Sequence, residues 1–162
     1  MRLTALRQAQ NGFTLIELVV TLAVIAILGS VAAPSLAGLI AAQKVRTLAS
    51  EFHLAMTQTR SEAIKRNVNV TISATGGNWA AGWVILDPEN PTDVTKALYT
   101  RSTRNTSTSV STTVTQLVYA PSGHITATTT PSFVFTAANT NEVRCVSVDP
   151  TGRPYTNKAS SC

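Results

Sequence analysis

Apolar residues form one long uninterrupted block near the N-terminus. Residues 18–42 contain no charged side chain. As an α-helix that rises about 1.5 Å per residue, this block would be about 37 Å long, which exceeds the roughly 30 Å hydrocarbon core of a bilayer. The pattern therefore predicts a membrane-spanning helix, and Pro34 within it predicts a kink.

The helical pattern continues past this block, in amphipathic form, to about residue 66. Apolar positions recur at helical spacing on one stripe, and most charged residues fall on other faces. The stripe consists of Val45, Leu48, Phe52, Met56, Thr59 and Ala63. We expect this stripe to pack on a sheet and Leu54 to point away from it.

Beyond residue 66 the hydrophobic pattern changes to an alternation with period two, which is typical of β-strands. Short strands are predicted at residues 68–73, 79–86, 97–100, 110–120, 132–136 and 143–148. Residues 102–115 are nearly all Thr, Ser and Asn, so they form a loop or an edge strand that faces water. The predicted fold class is α+β: a long N-terminal helix, membrane-spanning in its first half, packed on a small antiparallel β-sheet or sandwich.

The composition points to an exported protein. Only 13% of the 162 residues are charged, whereas soluble domains have roughly 25%. The surface must therefore consist mainly of hydroxyl and amide groups, which favours export over a cytosolic enzyme. The net charge of +5 permits contact with phosphates or anionic surfaces without requiring it.

Cys145 and Cys162 are the two cysteines of the chain, and both lie near its C-terminus. Such a pair behind an export-like N-terminus predicts a disulfide that closes the C-terminal segment onto the preceding strand. A loop of this size corresponds to about 3 kcal/mol in the chain-entropy model. The alternative is a pair of free thiols.

The charges around the apolar block predict its orientation. Arg2 and Arg7 precede the block and no acid lies before Phe13, so the positive-inside rule keeps the N-terminus cytoplasmic. A secretory signal peptide is the competing interpretation, but its apolar core would be shorter. Glu17 stands near the start of the block, where a carboxylate is costly and usually has a partner.

Residues 12–18, with the sequence GFTLIEL, follow a short basic leader and precede the apolar helix. This segment resembles the processing site of type IV pilins and type II secretion pseudopilins. The resemblance implies that a prepilin peptidase cuts after Gly12 and methylates the new N-terminal residue, Phe13. Residues 1–12 would then be the removed leader, 13–42 the transmembrane and assembly half of the helix, and 43–162 the periplasmic or extracellular globular domain.

The resemblance also gives Glu17 a role in assembly. Cleavage exposes a cationic amine at the membrane edge, and the Glu17 carboxylate can neutralise such an amine where the dielectric constant is low. Pairing between subunits would then set their axial stagger. The alternative is that Glu17 merely begins a helix, where an acid complements the helix dipole.

Four later segments narrow the resemblance. They are RSEA at 60–63, GWV at 82–84, APSG at 120–123 and VDPTGR at 148–153. In this order they resemble the GspH/FimT/FimU group of minor pilins and pseudopilins. The group implies a single-pass inner-membrane protein that later joins other pilins in a helical filament, at or near the tip, where it supports pilus assembly. A minor pseudopilin of a type II secretion system is the alternative.

Some FimT members bind DNA during natural transformation through a C-terminal Gly-Arg-x-Arg motif. This chain has GRPY at residues 152–155, with a tyrosine in place of the second arginine. The candidate DNA-binding residues are Arg153, Tyr155, Lys158, Arg144, Arg101 and Arg104. The arginines and the lysine would contact phosphates and the tyrosine would stack on an unpaired base. The alternative is a turn with a solvated arginine.

An enzymatic function is not indicated. His53 and His124 lack an evident nucleophile or carboxylate partner along the sequence, and the acidic residues of 87–93 do not match an EF-hand. We therefore expect a non-enzymatic protein without cofactor or metal.

Overall fold

The computed structural model describes residues 13–102, 107–159 and 162. The chain divides into two compact units, Met1–Ala37 and Gly38–Cys162. One long α-helix, α1 (Leu15–Arg66), contributes residues to both. The division at 12/13 and at 42/43 that the sequence suggested stays a prediction.

Among the described residues, no single helix is long and apolar enough to cross a membrane. Two segments that are bent relative to each other, Leu15–Ser30 and Ser35–Arg66, together reach the length and composition of a membrane span.

The predicted apolar stripe of α1 is confirmed as the core-facing side of the helix. Val45, Leu48, Phe52, Met56, Thr59 and Ala63 are all buried. The hydroxyl of Thr59 is satisfied because it donates to the Ala55 carbonyl at 2.7 Å. Leu54 is 65% exposed and points away from the stripe, as predicted.

Eight strands follow the helix, joined in part by 3₁₀ turns at Thr75–Gly77, Trp79–Ala81 and Val94–Lys96. They are β1 (Val70–Ala74), β2 (Gly82–Ile85), β3 (Tyr99–Ser102), β4 (Thr108–Ser111), β5 (Gln116–Tyr119), β6 (Ser132–Ala137), β7 (Arg144–Val148) and β8 (Pro154–Asn157). They form two antiparallel four-stranded sheets, β3-β2-β1-β5 and β4-β6-β7-β8. The α+β class with a helix on antiparallel sheets is thereby confirmed.

The ring of Phe52 lies where the helix and both sheets meet. Its centroid is 5.2 Å from Trp79 and 5.1 Å from Trp83, on the side of the first sheet. It is 4.6 Å from Phe133 and 5.4 Å from Phe135, on strand β6 of the second sheet. Mostly edge-to-face packing of this kind joins the two sheets into one core.

The structure corrects two strand predictions. The run predicted as one strand at 110–120 is divided between β4 and β5, which belong to different sheets. The connection between them is fixed by Val114, whose carbonyl accepts the indole N–H of Trp79 at 2.6 Å. Residues 79–81 form a 3₁₀ turn instead of a strand, because the Asn78 side chain accepts the N–H of Ala80 and caps it.

The disulfide between Cys145 and Cys162 is present, with 5.7 Å between the two Cα atoms. Cys145 lies on β7 and is buried. The bond therefore ties the C-terminus to an inner strand of the second sheet, as predicted.

Candidate functional site

The N-terminal end of α1 is capped by a side chain. The hydroxyl oxygen of Thr14 accepts the backbone N–H of Glu17 at 3.3 Å, so Thr14 is the cap and Glu17 stands in the first turn. An acid in this position complements the partial positive charge of the helix end. The local geometry thus accounts for Glu17 as a helix-starting residue, and its role in assembly stays a prediction.

Around the predicted cleavage position, Gly12 lies outside the described residues. Phe13 is the first described residue and is 83% exposed. The residues that follow, 14–30, are all exposed as well, although most are apolar. A continuous apolar surface of this size requires a cover of lipid or protein.

A tight turn precedes β8 and presents Arg153. One carboxylate oxygen of Asp149 accepts the hydroxyl of Thr151 at 2.6 Å and the N–H of Arg153 at 3.0 Å. These bonds, that of Thr151 first, lower the pKa of Asp149 below its ordinary value. Gly152 completes the turn with a φ of +81°, which favours glycine. The side chain of Arg153 is exposed.

Strand β8 carries Tyr155 on the face of the second sheet that points away from the core. Tyr155 is paired with Ser147 of β7 and is 45% exposed. Together with Asn157 and the disulfide it lines a cavity of about 210 Å³. Lys158 follows the strand and is also exposed. The structure thus gathers Arg153, Tyr155 and Lys158 into one accessible segment.

The other arginines predicted for this patch lie outside this segment, although Arg144 is on the neighbouring strand, one residue before the Cys145–Asn157 pair of β7 and β8. Arg101 is on β3, in the first sheet, where its Nε donates to Glu51 at 2.5 Å and its guanidinium lies 4.7 Å from the centroid of the Trp83 ring. Arg144 is on β7 and donates to Glu142 at 2.8 Å. Arg104 lies outside the described residues.

Glu142 is the centre of an ion-pair triad that the sequence did not indicate. Its two carboxylate oxygens accept one bond from Arg46 at 2.9 Å and one from Arg144 at 2.8 Å. The bond from Arg46 is the main reason why the pKa of Glu142 falls to about 2. Arg46 and Glu142 are 96 positions apart, so no local sequence signal indicates the pair.

Arg60 joins α1 to two turns. Its Nε donates to the Gly123 carbonyl at 3.0 Å and its Nη2 donates to the Thr151 carbonyl at 3.3 Å. Both turns belong to the segments noted in the sequence, but nothing in the pattern showed that they touch. Tyr119 lies beside them, and burial raises the pKa of its hydroxyl.

Each histidine ring has a hydrogen-bond partner, distant in sequence for His53 and close for His124. His53 Nε2 lies 3.1 Å from the Pro154 carbonyl oxygen, and His124 Nδ1 lies 3.1 Å from the Ser122 hydroxyl. Among residues 13–102, 107–159 and 162, no three His, Cys, Asp or Glu side chains come together as metal ligands.

Comparison with known structures finds the same fold in two crystal structures of the Pseudomonas aeruginosa (strain PAO1) type IV minor pilin FimU, in space groups P21 and P65. Both have a TM-score of 0.60, with sequence identities of 19% and 20%. The alignments cover 74% and 72% of this chain and 96% and 98% of the FimU chains. At this identity the likeness shows the fold alone. Among curated protein sequences, none matches this chain significantly.

Two family models match the sequence. The prokaryotic N-terminal methylation motif covers residues 7–33, and the model of type II transport protein GspH covers residues 48–152. The second match extends over more than half of the chain and includes the helix stripe from Leu48 onward, strands β1 to β7 and the turn before Arg153. The chain therefore belongs to the GspH family, on a pilin fold that begins with an N-terminal methylation motif.

Proposed function

We propose that this protein is a minor type IV pilin that is incorporated at or near the filament tip and supports pilus assembly. The observation that carries the proposal is the exposed apolar surface of residues 13–30, which lies within the matched methylation motif and in one chain with a pilin fold. Membership of the GspH family supports it. In this function the protein is structural and not an enzyme.

In this proposal the apolar half of α1 is surrounded by lipid before assembly and by the helices of other pilins afterwards. Before assembly it crosses the inner membrane once, with the N-terminus in the cytoplasm, and a prepilin peptidase cuts after Gly12. In the filament, the helices of other pilins replace the lipid. Because both covers are apolar, the exchange does not expose the helix to water, where its apolar surface would be costly. Contacts of this heterologous type extend into a filament instead of closing into a ring.

Glu17 supplies the one charge at the start of this surface. After cleavage it would be the fifth residue of the mature chain, close to the N-methylated amine of Phe13 in a neighbouring subunit. A mismatch of stagger would leave the amine and the carboxylate unpaired in an apolar environment, which is unfavourable. The pair would therefore select one axial position for each subunit.

The test is recovery of the full-length protein in sheared filaments. We expect Glu17→Ala to remain in the membrane with a folded globular domain but to be strongly depleted from filaments. Thr14→Val is the matched control, because it removes the cap hydroxyl and keeps the acid. Normal recovery of Glu17→Ala would refute the assembly role. Equal depletion of both variants would show that Glu17 acts only through the helix start.

The alternative is a type II secretion system, because the matched family is that of type II transport protein GspH. A minor pseudopilin would share the processing site, the helix and the fold. Deletion of the gene separates the two: loss of pili with normal protein secretion supports the pilin, and loss of secretion with normal pili supports the pseudopilin.

The second candidate function is that of a DNA receptor, and it rests on the exposed segment that carries Arg153, Tyr155 and Lys158. Arg153 and Tyr155 stand two residues apart with accessible side chains, so one strand edge offers both a phosphate contact and a stacking ring. The full chain in detergent can be titrated with labelled single-stranded and double-stranded DNA at several salt concentrations. Arg153→Ala should reduce the salt dependence of the DNA affinity by the amount expected for about one phosphate contact. Tyr155→Ala should weaken the binding of single-stranded DNA most.

Lys65→Ala is the control for these variants, since Lys65 is 74% exposed and lies on α1. Its removal should change DNA binding little. If the wild-type chain binds no DNA even at low salt, the segment at 152–153 is only a turn and the structural function stands alone.

A further inference from the structure

The globular unit covers α1 from Gly38 onward. Residues 35–37 are exposed, whereas Gly38, Ala41 and Ala42 are half-buried and Val45 is fully buried. The uncharged block of the sequence, however, extends to residue 42. The last residues of this apolar block are therefore part of the folded domain.

The cover at Gly38 is the turn that contains Asn139. A Cβ added to Gly38 would lie 3.1 Å from the carbonyl oxygen of Asn139, which is closer than an ordinary van der Waals contact. Asn139 has a φ of +63°, and it and Ala138 are exposed on the outside of the turn. The turn thus lies directly against the apolar helix.

Cationic side chains lie close to the same stretch of the helix. Lys44 is exposed and lines an apolar groove of about 330 Å³ with Ile40 and Leu48. Arg46 and Arg144 share the single carboxylate of Glu142, and the side chain of Arg46 is 49% exposed. Two arginines thus share one acid, and Lys44, two residues before Arg46 on the helix, adds a third cation, which leaves this end of the domain positive.

The length of the apolar block places this end relative to a bilayer. Residues 18–37 correspond to about 30 Å of helix, the thickness of a hydrocarbon core. Residues 38–42 add about 7 Å, which is close to the depth of one headgroup layer. Any tilt of the helix would bring residue 38 deeper, because more residues are then needed to cross the core.

We propose that, before assembly, the globular domain rests directly on the periplasmic leaflet of the inner membrane. The turn at Asn139 lies in the headgroup layer, and Lys44, Arg46 and Arg144 face lipid phosphates. This inference rests on the proposed membrane anchoring of the chain. No spacer separates the bilayer from the domain, because the block that crosses the membrane is also the first part of the domain. Anionic lipids strengthen the contact through these cations.

The test uses the full chain reconstituted in vesicles of phosphatidylcholine, with or without phosphatidylglycerol. Ala138→Cys carries a fluorophore, and nitroxide-labelled lipid headgroups quench it if it lies in that layer. Glu89→Cys is the control position, because Glu89 is exposed and neighbours Arg66, about 42 Å along α1 from Gly38. We expect the label at 138 to be quenched several-fold more than the label at 89.

The charge contribution is tested with Lys44→Glu in the Ala138→Cys background. This reversal should reduce quenching in vesicles with phosphatidylglycerol and leave it nearly unchanged in phosphatidylcholine alone. Equal quenching at 138 and 89 in chains that resist alkaline extraction would overturn the inference and leave the membrane anchor intact. Release of the wild-type chain by alkaline extraction would instead overturn both the anchor and the inference.

Discussion

Gly152 packs so closely against Gly123 that a Cβ at residue 152 would overlap the Gly123 carbonyl oxygen. The same carbonyl accepts a hydrogen bond from Arg60, whose second bond goes to Thr151 beside Gly152. One arginine of α1 thus holds two turns of the β-region against each other. This contact fixes the end of β7 and the start of β8, and with it the position of the candidate DNA-binding segment.

Gly152→Ala should therefore destabilise the globular domain strongly. The substitution adds both the strain of a positive φ and a steric overlap with backbone, and backbone cannot move as a flexible side chain does. Gly77→Ala is the matched control, because its φ of +76° is nearly the same and open space surrounds it. We expect a loss of about 1 kcal/mol for the control and clearly more for Gly152→Ala. Thermal unfolding followed by the near-ultraviolet circular dichroism of the buried tryptophans measures both. Equal losses would contradict the close contact.

Arg60→Met keeps the apolar stem of the side chain and removes both hydrogen bonds. Two carbonyl groups then lose a donor, so we expect a loss of about 1–3 kcal/mol in the free energy of unfolding. Lys65→Met removes an exposed cation of the same helix and should change stability by less than about 0.5 kcal/mol. If the two substitutions have equal effects, Arg60 does not hold the turns together.

Phe52→Ala should be among the most damaging substitutions in the chain. Phe52 is fully buried and contacts aromatic rings of both sheets, Trp83 and Phe133, so its removal leaves a cavity at their junction. Core substitutions of this type cost about 3–5 kcal/mol. Leu54→Ala, on the exposed side of the same helix, should cost little. Urea unfolding of both variants provides the comparison, and a mild effect of Phe52→Ala would show that the two sheets do not share one core.

The triad of Glu142, Arg46 and Arg144 should make stability depend on pH in the acid range. The folded-state pKa of Glu142, about 2, lies below its ordinary value of 4.5. A lowered pKa means that this stabilisation is complete above about pH 4.5 and is lost as the pH falls toward 2. Glu142→Gln should therefore be less stable than the wild type at neutral pH.

The difference between these two proteins, measured by urea unfolding, should shrink steadily between pH 4.5 and 2. Other carboxylates with a lowered pKa, such as Asp149, titrate in both proteins and do not contribute to the difference. A difference that stays constant across this range would show that Glu142 is not held ionised by the arginines.

Periodicity was sufficient to predict the helix and its buried face, because each position from Val45 to Ala63 is decided by local spacing. It also predicted most strands. It failed at 110–120, where one alternating run contributes strands to two different sheets. Alternation shows which side of a strand is buried, but it does not show which strand is its partner. Strand β8 was missed because Pro154 and three exposed residues carry no apolar alternation.

The predicted processing site could be proposed from the sequence because its residues are contiguous, and the methylation-motif match spans them at residues 7–33, while cleavage after Gly12 stays a prediction. The contacts that shape the C-terminal segment were not visible. Arg60 reaches Thr151 across 91 residues and Arg101 reaches Glu51 across 50, so only the folded chain reveals that these cations are engaged. An arginine in a sequence shows a charge, and its neighbours in space decide whether that charge is available to a ligand.

The disulfide has a consequence for a subunit under mechanical load. A filament that attaches to a surface carries tension, and a subunit pulled from its C-terminus would lengthen as its last strand peels away. Cys145 and Cys162 are joined across a separation of 17 residues, so this part of the chain has about 60 Å of contour length that cannot be extended. Force applied at the C-terminus passes directly to β7, inside the second sheet. The edge strand β8 can therefore detach from the sheet without lengthening the chain between β7 and the C-terminus.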